Sequence, residues 1–364
     1  MQQRYLAMSH KSSLTNPDTR WMGGSAANPK AITGPSAWYG QDLQQEDSWI
    51  WRFNHHHLKD IHHALQQFHR SGKSESEMQR DDFPLHETAS FLQDVLHELE
   101  YGTGLALLRG LDLSGYTYQE IRQIYWGMGL YLGKAESQNI KGELMQEITD
   151  MGFDYTKSEH RGSMTAAELR PHCDVCDLVG LLCIRGAKSG GVSTLRSSMT
   201  IYNEIFHHKP HLLSYLHEGF FFELDGKGPT GAADEITHRI PVYSWHQGYL
   251  SCRYNQKAIE GGMIKAGLPL TGEALEAVEE VARLAQDPRI VLNMDFQPGD
   301  IQLLNNYVTL HARTKVIDHE DPARKRLLLR LWLNHDGARP LDDDFANKTL
   351  NGPRRGVQPR AATI

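Results

Sequence analysis

The run from Arg326 to Leu333, Arg-Leu-Leu-Leu-Arg-Leu-Trp-Leu, is the sequence feature that most limits how this chain can fold. Side chains alternate between the two faces of a β-strand, so the odd positions of the run form a continuous leucine face. The even positions place Arg326 and Arg330 together on the opposite face. A buried arginine requires an anionic partner and binds a carboxylate through two parallel hydrogen bonds. That partner is either a ligand or one of the 45 acidic residues of the chain, and the strand alone does not decide between them.

Helical patterns dominate the first third of the chain, and strands interspersed with helices follow. Apolar residues at three- and four-residue steps predict helices near residues 58–68, 84–102, 118–131, 198–216 and 271–284. Apolar runs beside turns predict core strands near residues 105–108, 177–184, 290–296 and 301–304. This order predicts an α+β fold around a β-rich core, with residues 1–36 as a flexible N-terminal arm and residues 337–364 as a loose C-terminal tail.

Composition excludes several classes of protein. Lys and Arg total 38 against 45 Asp and Glu, a net charge of −7 that argues against a nucleic-acid-binding protein. Four cysteines in 364 residues do not make a disulfide framework and favour a reducing compartment. The first residues lack an apolar signal region, and no apolar run is long enough to span a membrane. We therefore expect a cytoplasmic protein that acts on a small molecule, and the sequence leaves a homo-oligomer open.

The sequence Pro171-His172-Cys173-Asp174 contains the strongest local indication of chemistry. On an extended backbone His172 and Asp174 point to the same face, so both can bind one metal ion. His311 follows the predicted strand at residues 301–304 and offers a second imidazole. Two histidines and one carboxylate on one face of an iron leave positions open for a cosubstrate and oxygen. A His-x-Asp pair by itself is equally typical of a hydrogen-bonded surface pair.

A wider set of motifs accompanies these residues: His172-x-Asp174, Gly190-Gly191-Val192-Ser193, Pro298-Gly299-Asp300, Asn306, His311 and Arg330. In order and separation, this set resembles the TauD/TfdA family of Fe(II)/2-oxoglutarate-dependent dioxygenases. The likeness covers roughly residues 100–335. It implies a double-stranded β-helix core of the jelly-roll or cupin type with flanking helices. We expect one oxygenase domain over residues 37–336, with a helical part at residues 49–131 and a barrel core at about residues 100–335.

The resemblance also implies roles for individual residues. His172, Asp174 and His311 would bind Fe(II), and Arg330 with Ser193 would hold 2-oxoglutarate. Ser193 stands where the family has threonine, and an insertion at residues 317–324 lengthens the gap before Arg330, so Arg326 competes for the same role. Strand register favours Arg330 for 2-oxoglutarate and places Arg326 nearer the substrate. The further residues expected to contact substrate are Gln138, Tyr243, Trp245 and Asn306.

The implied reaction consumes O2 and 2-oxoglutarate, releases succinate and CO2, and hydroxylates an unactivated C–H bond of a small molecule. Two arginines on the pocket face suggest that this substrate carries an anionic group, as an amino acid or another carboxylate does. The presence of Asp174 favours hydroxylation, desaturation or cyclisation over halogenation. Two alternatives use the same residues: a zinc-dependent hydrolase with the His/Asp/His site, and a non-catalytic barrel that binds 2-oxoglutarate.

Two other patterns suggest metal binding less strongly. Cys173 and Cys176 form a Cys-x-x-Cys pair, but a closed zinc site needs two more ligands. His55, His62 and His69 would share a helix face without a carboxylate to complete a site. We expect ordinary thiols in the first case and a solvated helix face in the second.

Overall fold

The structure is a computed structural model that describes residues 24–151 and 165–360. Its strands are β1 (Ile50–Arg52), β2 (Leu105–Arg109), β3 (Lys134–Ala135), β4 (Met145–Ile148), β5 (Leu169–His172), β6 (Leu178–Arg185), β7 (Ser189–Gly190), β8 (Ser193–Ser197), β9 (Tyr243–His246), β10 (Tyr249–Cys252), β11 (Leu292–Met294), β12 (Ile301–Asn305), β13 (Thr309–Arg313), β14 (Val316–Ile317) and β15 (Leu327–Asn334). Its helices are α1 (Gly40–Leu43), α2 (His55–Ser71), α3 (Glu87–Tyr101), α4 (Tyr118–Leu132), α5 (Ser198–His208), α6 (Leu213–Glu218), α7 (Gln256–Lys265), α8 (Gly272–Leu284) and α9 (Asp343–Ala346).

Two β-sheets form the centre of the structure. The larger sheet has the strand order β1-β2-β12-β6-β15-β3, with β4 also paired to β15, and the smaller sheet has the order β11-β8-β13-β5. Apolar side chains from both sheets meet in one cluster, among them Leu107, Val179, Leu195 and Trp332. The predicted α+β architecture with a double-stranded β-helix core is confirmed.

Three helices cover the outer face of the larger sheet. Asn54 begins α2 by accepting hydrogen bonds from the first-turn backbone, and Gly72 ends it with a φ of 66°. The apolar faces of α2, α3 and α4 pack on Leu329, Leu331 and Leu333 of β15. The leucine face predicted for this strand is therefore confirmed, and the opposite face of β15 points between the two sheets.

A second helical layer covers the smaller sheet. Apolar residues of α5, α7 and α8, including Tyr202, Ile259 and Val281, form one cluster with Leu310 of β13. This layer fixes β13 and its neighbour β5 from behind. The predicted metal ligands lie on these two strands and on the loop that follows β5.

The described terminal segments pack on the barrel, which differs from the loose arm and tail expected from their polar composition. Ile32 is 3% exposed and belongs to the cluster behind the smaller sheet. In the tail, Arg339 forms a buried ion pair with Glu100, and Arg354 forms one with Asp177. Residues 1–23 and 361–364 lie outside the described residues. Among the helices that the structure describes, none has the length and apolar character needed to cross a bilayer.

Candidate metal centre

His172, Asp174 and His311 meet at the open end of the two sheets. One ligand atom from each lies within 4.8 Å of those of the other two, and no other such group of His, Cys, Asp or Glu occurs in residues 24–151 and 165–360. His172 ends β5 and pairs directly with His311 of β13 in the antiparallel register. Asp174 follows two residues later, in the loop after β5. The sequence prediction that these three side chains converge is therefore correct.

The surroundings of the two histidines suit a metal ion. His172 donates from Nδ1 to the carbonyl oxygen of Arg170 at 2.8 Å, which leaves the lone pair of Nε2 available. The Nε2 atom of His311 lies 3.6 Å from Oδ2 of Asp174. Burial and the neighbouring His172 lower the pKa of His311 to about 3, so this imidazole is neutral, as a metal ligand must be.

Asp174 is held from its backbone and its side chain. The indole N–H of Trp332 donates to Oδ2 at 2.9 Å, and Oδ1 of Asn306 accepts from the backbone N–H at 3.2 Å. Burial opposes ionisation of Asp174, but the Arg330 guanidinium and the two histidines outweigh it and lower its pKa to about 2. The carboxylate is therefore charged and oriented towards the two imidazoles.

Arg330 is fixed by two glutamines. Its Nε donates to Oε1 of Gln138 at 2.7 Å, and Nη2 donates to Oε1 of Gln146 at 2.9 Å. Its Nη1 lies 3.8 Å from Oδ2 of Asp174, and the guanidinium stacks over the Trp332 ring. Arg330 thus approaches Asp174 through Nη1, the one guanidinium nitrogen that does not donate to a glutamine.

Arg326 has no comparable partners. Its side chain is buried, and its guanidinium makes no hydrogen bond or close ion pair with any residue the structure describes. Burial lowers the pKa of this guanidinium. Ser193 lines the same cavity as Arg326 and donates its hydroxyl to Oε1 of Gln302 at 2.6 Å. The cavity is also lined by His172, His311, Arg330 and Arg313, the last of which donates to the backbone carbonyls of Thr165 and Ala167. Its apolar wall consists of Ile148, Leu169, Val179, Leu181, Ala312 and Leu328.

Four residues expected to contact substrate have other positions. Gln138 is fully buried and supports Arg330. Asn306 is also fully buried, and its amide holds the turn through Asp174 and Cys176. Tyr243 donates its hydroxyl to the Ser198 carbonyl, and Trp245 packs edge-on against Tyr202. None of these four lines the cavity that contains His172 and His311, and their direct contact with substrate stays a prediction.

Sequence reasoning missed three residues of the site. Trp332 lies on the same strand face as Arg330, so the alternation that located the arginines could have located it. Gln146 sits on β4 opposite Arg330, and nothing local to its sequence indicates that position. Gln302 is a single amide between Ile301 and Leu303, and such an isolated polar residue in an apolar strand was a usable signal.

The cysteine and histidine patterns do not form metal sites in the described parts of the chain. Cys173 and Cys176 are buried free thiols, and neither belongs to a group of metal-binding side chains. Two histidines of α2 form hydrogen bonds with glutamines instead. His62 bonds to Gln66 of the same helix, and His69 bonds to Gln123 of α4. Both patterns therefore agree with the plainer interpretation.

Comparison with known proteins identifies two relatives by sequence. FR-33289 synthase of Streptomyces rubellomurinus is 32% identical over 314 residues, which cover 85% of this chain and 92% of that protein. The taurine hydroxylase-like protein SAT17 of Stachybotrys chartarum is 26% identical over 306 residues, covering 81% of this chain and 77% of that protein.

Solved structures share the fold at lower identity. Asparagine oxygenase in complex with Fe(II), 3-hydroxyasparagine and succinate matches with a TM-score of 0.61 and 15% identity, over 78% of this chain and 93% of that chain. The non-heme iron oxygenase OrfP, with Fe, succinate and a dihydroxy-arginine, matches with a TM-score of 0.59 and 12% identity, over 80% of this chain and 99% of that chain.

The family assignment follows from the span of the match. Residues 67–332 match the taurine catabolism dioxygenase TauD, TfdA family, and this range contains the three candidate metal ligands as well as Arg326 and Arg330. The predicted cofactors are confirmed as iron(II) and 2-oxoglutarate. The chain belongs to the TauD/TfdA family and is an Fe(II)/2-oxoglutarate-dependent dioxygenase.

Proposed function

We propose that this dioxygenase hydroxylates an unactivated C–H bond of a small substrate that carries an anionic group, such as an amino acid or another carboxylate. The observation that carries the proposal is that Arg326 and Arg330 line the metal cavity from one strand face, and that of these two only Arg330 is fixed by protein side chains. Because Arg326 and Arg330 lie on the same strand face, the cavity can bind two anions. Bound iron(II) supplies the oxidation, in which O2 and 2-oxoglutarate are converted to succinate and CO2 while the substrate gains a hydroxyl group.

His172, Asp174 and His311 would bind the iron. Three ligands on one face leave the remaining positions for 2-oxoglutarate and oxygen. The Arg170 carbonyl and the Trp332 indole support this assignment, because each fixes the orientation of one ligand. A carboxylate ligand also supports hydroxylation over halide transfer, since it occupies the position that a halide would need.

Arg326 and Ser193 would hold the distal carboxylate of 2-oxoglutarate, which reverses the order favoured by strand register. A buried guanidinium without a described partner is costly unless an anion neutralises it. Arg326 meets this condition and Arg330 does not. The Ser193 hydroxyl lines the same cavity and adds one donor for the carboxylate.

Arg330 would then bind the anionic group of the substrate. Gln138 and Gln146 hold two of its nitrogen atoms, so the guanidinium is fixed before substrate arrives. The remaining Nη1 sits beside the Asp174 carboxylate, which brings a bound substrate within reach of the metal. Orientation of this kind is the contribution that the protein makes to the reaction.

The test is anaerobic binding of Fe(II) and 2-oxoglutarate, followed by the metal-to-ligand charge-transfer band while amino acids and small acids are added one at a time. We expect the band to appear without substrate and to shift with anionic substrates only. Succinate release that needs both Fe(II) and 2-oxoglutarate separates this function from a zinc-dependent hydrolase. Absence of the band in freshly purified protein would refute the proposal.

Turnover separates the remaining alternative, a barrel that binds 2-oxoglutarate without catalysis. Such a protein would show the band but release no succinate with any member of the panel. All three ligands are present and oriented, which favours the enzyme.

A further inference from the structure

Gln302 is a polar side chain in the middle of an apolar strand. It lies on β12 between Ile301 and Leu303, which pack against the helices that cover the larger sheet. Gln302 faces the other way, into the space between the sheets, and is 0% exposed. Its Oε1 accepts the Ser193 hydroxyl at 2.6 Å, whereas its Nε2 has no hydrogen-bond partner among the described residues. A buried N–H without a partner is destabilising, so the position requires an explanation.

The neighbours of Gln302 supply a setting for that explanation. Ser193 lines the metal cavity together with Arg326. The Arg326 side chain also packs against Gly191, because a Cβ atom placed on Gly191 would lie 3.2 Å from Cδ of Arg326. Gly191 precedes Ser193 by two residues, so the Arg326 side chain packs on the segment that leads into Ser193.

The Ser193 hydroxyl has a single proton, and two acceptors compete for it. In the structure that proton goes to Oε1 of Gln302. An anion beside Arg326 also needs a donor, and it would meet only lone pairs if the Ser193 proton stayed on Gln302. Rotation of the Gln302 amide by half a turn exchanges its oxygen for Nε2 without changing its shape. The amide N–H then donates to Ser193 Oγ, and the hydroxyl is free to donate to the anion.

We propose that Gln302 is a positioning residue that directs the Ser193 proton towards the distal carboxylate of 2-oxoglutarate. The inference rests on the proposed placement of that carboxylate between Arg326 and Ser193. In the loaded state the donors run in one direction, from the amide to the hydroxyl to the carboxylate, and each hydrogen bond polarises the next. The same rotation gives the unsatisfied Nε2 of the free protein a partner.

Three variants test the inference through the dissociation constant of 2-oxoglutarate, measured anaerobically from the charge-transfer band. Ser193→Ala removes the hydroxyl that contacts an anion, and we expect binding to weaken about tenfold. Gln302→Met keeps the length of the side chain but removes the amide, and we expect about a fivefold loss. In the double variant Gln302→Met should add no further loss, because the amide acts only through Ser193.

Gln302→Glu should weaken 2-oxoglutarate binding more strongly than Gln302→Met does. A carboxylate at this position only accepts, so it retains the Ser193 proton and places a second negative charge beside Arg326. We expect 2-oxoglutarate binding to weaken on the order of 100-fold. For Gln302→Met, kcat at saturating 2-oxoglutarate should stay within about twofold of the wild type while KM for 2-oxoglutarate rises, because the amide does not touch the reacting atoms.

The outcomes separate this inference from the proposed function. If Gln302→Met weakens binding equally with and without the Ser193 hydroxyl, Gln302 does not act through Ser193 and the inference is overturned. Unchanged binding in Gln302→Glu would overturn it as well. If the wild type gives no charge-transfer band, the proposed function fails and the inference fails with it. As controls, thermal unfolding and Fe(II) binding of each variant test whether the fold and the metal site are intact.

Discussion

Replacement of Arg326 by methionine is the perturbation that best distinguishes a ligand-binding arginine from a structural one. The Arg326 side chain is 5% exposed, and its guanidinium has no hydrogen-bond partner in the part of the chain that the structure describes. Exchanging a buried, uncompensated charge for an apolar side chain of similar length is typically neutral or stabilising. We therefore expect Arg326→Met to leave the free energy of unfolding of the ligand-free protein unchanged, or to raise it by about 1–2 kcal/mol.

The same substitution should abolish tight binding of 2-oxoglutarate. Removing one partner of a buried ion pair costs about 3–5 kcal/mol. At about 1.4 kcal/mol for each factor of ten, the dissociation constant should rise on the order of 100-fold to several thousand-fold. The variant would thus be as stable as the wild type and yet unable to hold its cosubstrate.

Arg330→Met should show the opposite pattern. Its loss leaves Oε1 of Gln138 and Oε1 of Gln146 without their donor. Each buried acceptor that loses its donor costs about 1–3 kcal/mol, so we expect the free energy of unfolding to fall by about 2–6 kcal/mol. Binding of 2-oxoglutarate should change by less than about threefold, because Arg326 is intact.

Urea denaturation gives the free energies of unfolding, and anaerobic titration of the charge-transfer band gives the dissociation constants. The reasoning is refuted if Arg326→Met is strongly destabilised and still binds 2-oxoglutarate normally. If Arg330→Met alone loses the cosubstrate, the assignment from strand register was the correct one.

Three further predictions concern the surroundings of the site. Trp332→Phe removes the hydrogen bond to Asp174 and should lower Fe(II) affinity about 10- to 100-fold in anaerobic titrations. Arg339→Met leaves the Glu100 carboxylate buried without its partner and should lower the free energy of unfolding by about 3–5 kcal/mol in urea denaturation. Burial lowers the pKa of Lys348 from 10.5 to about 8, so between these values the unfolded chain binds a proton that the folded chain lacks. The stability of the wild type relative to Lys348→Met should therefore rise with pH over that interval, by about 1 kcal/mol per pH unit.

Each of these predictions has a control or a contrary result. Trp126→Phe makes the same ring change at a buried indole whose N–H has no partner among the described residues, so its Fe(II) affinity should match the wild type. Equal losses in both tryptophan variants would show that the hydrogen bond is not the cause. Arg52→Met breaks an exposed pair and should cost less than about 1 kcal/mol, in contrast to Arg339→Met. A pH-independent difference between Lys348→Met and the wild type would contradict the third prediction.

The sequence predicted those features that depend on local periodicity. Alternation on β15 located the leucine face and both arginines, and the His-x-Asp spacing located two metal ligands. It did not distinguish Arg326 from Arg330, because both lie on one strand face. The distinction depends on Gln138 and Gln146, which precede Arg330 by 192 and 184 residues. Contacts of that separation leave no trace in a local pattern.

Two further differences have physical reasons of the same kind. Tyr243 and Trp245 combine rings with polar atoms, a composition shared by binding surfaces and packed cores; the Tyr243 hydroxyl is satisfied by the Ser198 carbonyl, which makes it a core residue. The polar tail packs on the barrel because its arginines form ion pairs with buried carboxylates. Arg339 reaches Glu100 across 239 residues of sequence, and that partner could not be inferred from tail composition.

The fastening of the tail bears on how the protein is made. Asp177 lies three residues after Asp174, and it is bound by Arg354, 177 residues further along the chain. During synthesis the loop that carries Asp174 and Asp177 therefore emerges from the ribosome long before Arg354, one of the residues that bind it. Since translation proceeds from the N-terminus, a half-made barrel would present His172 at the end of β5 and Asp174 without Asn306 and Trp332, and it would lack His311 altogether. The three candidate ligands can consequently meet only after His311 has been made, and a premature stop before residue 354 would leave Asp177 without its Arg354 ion pair.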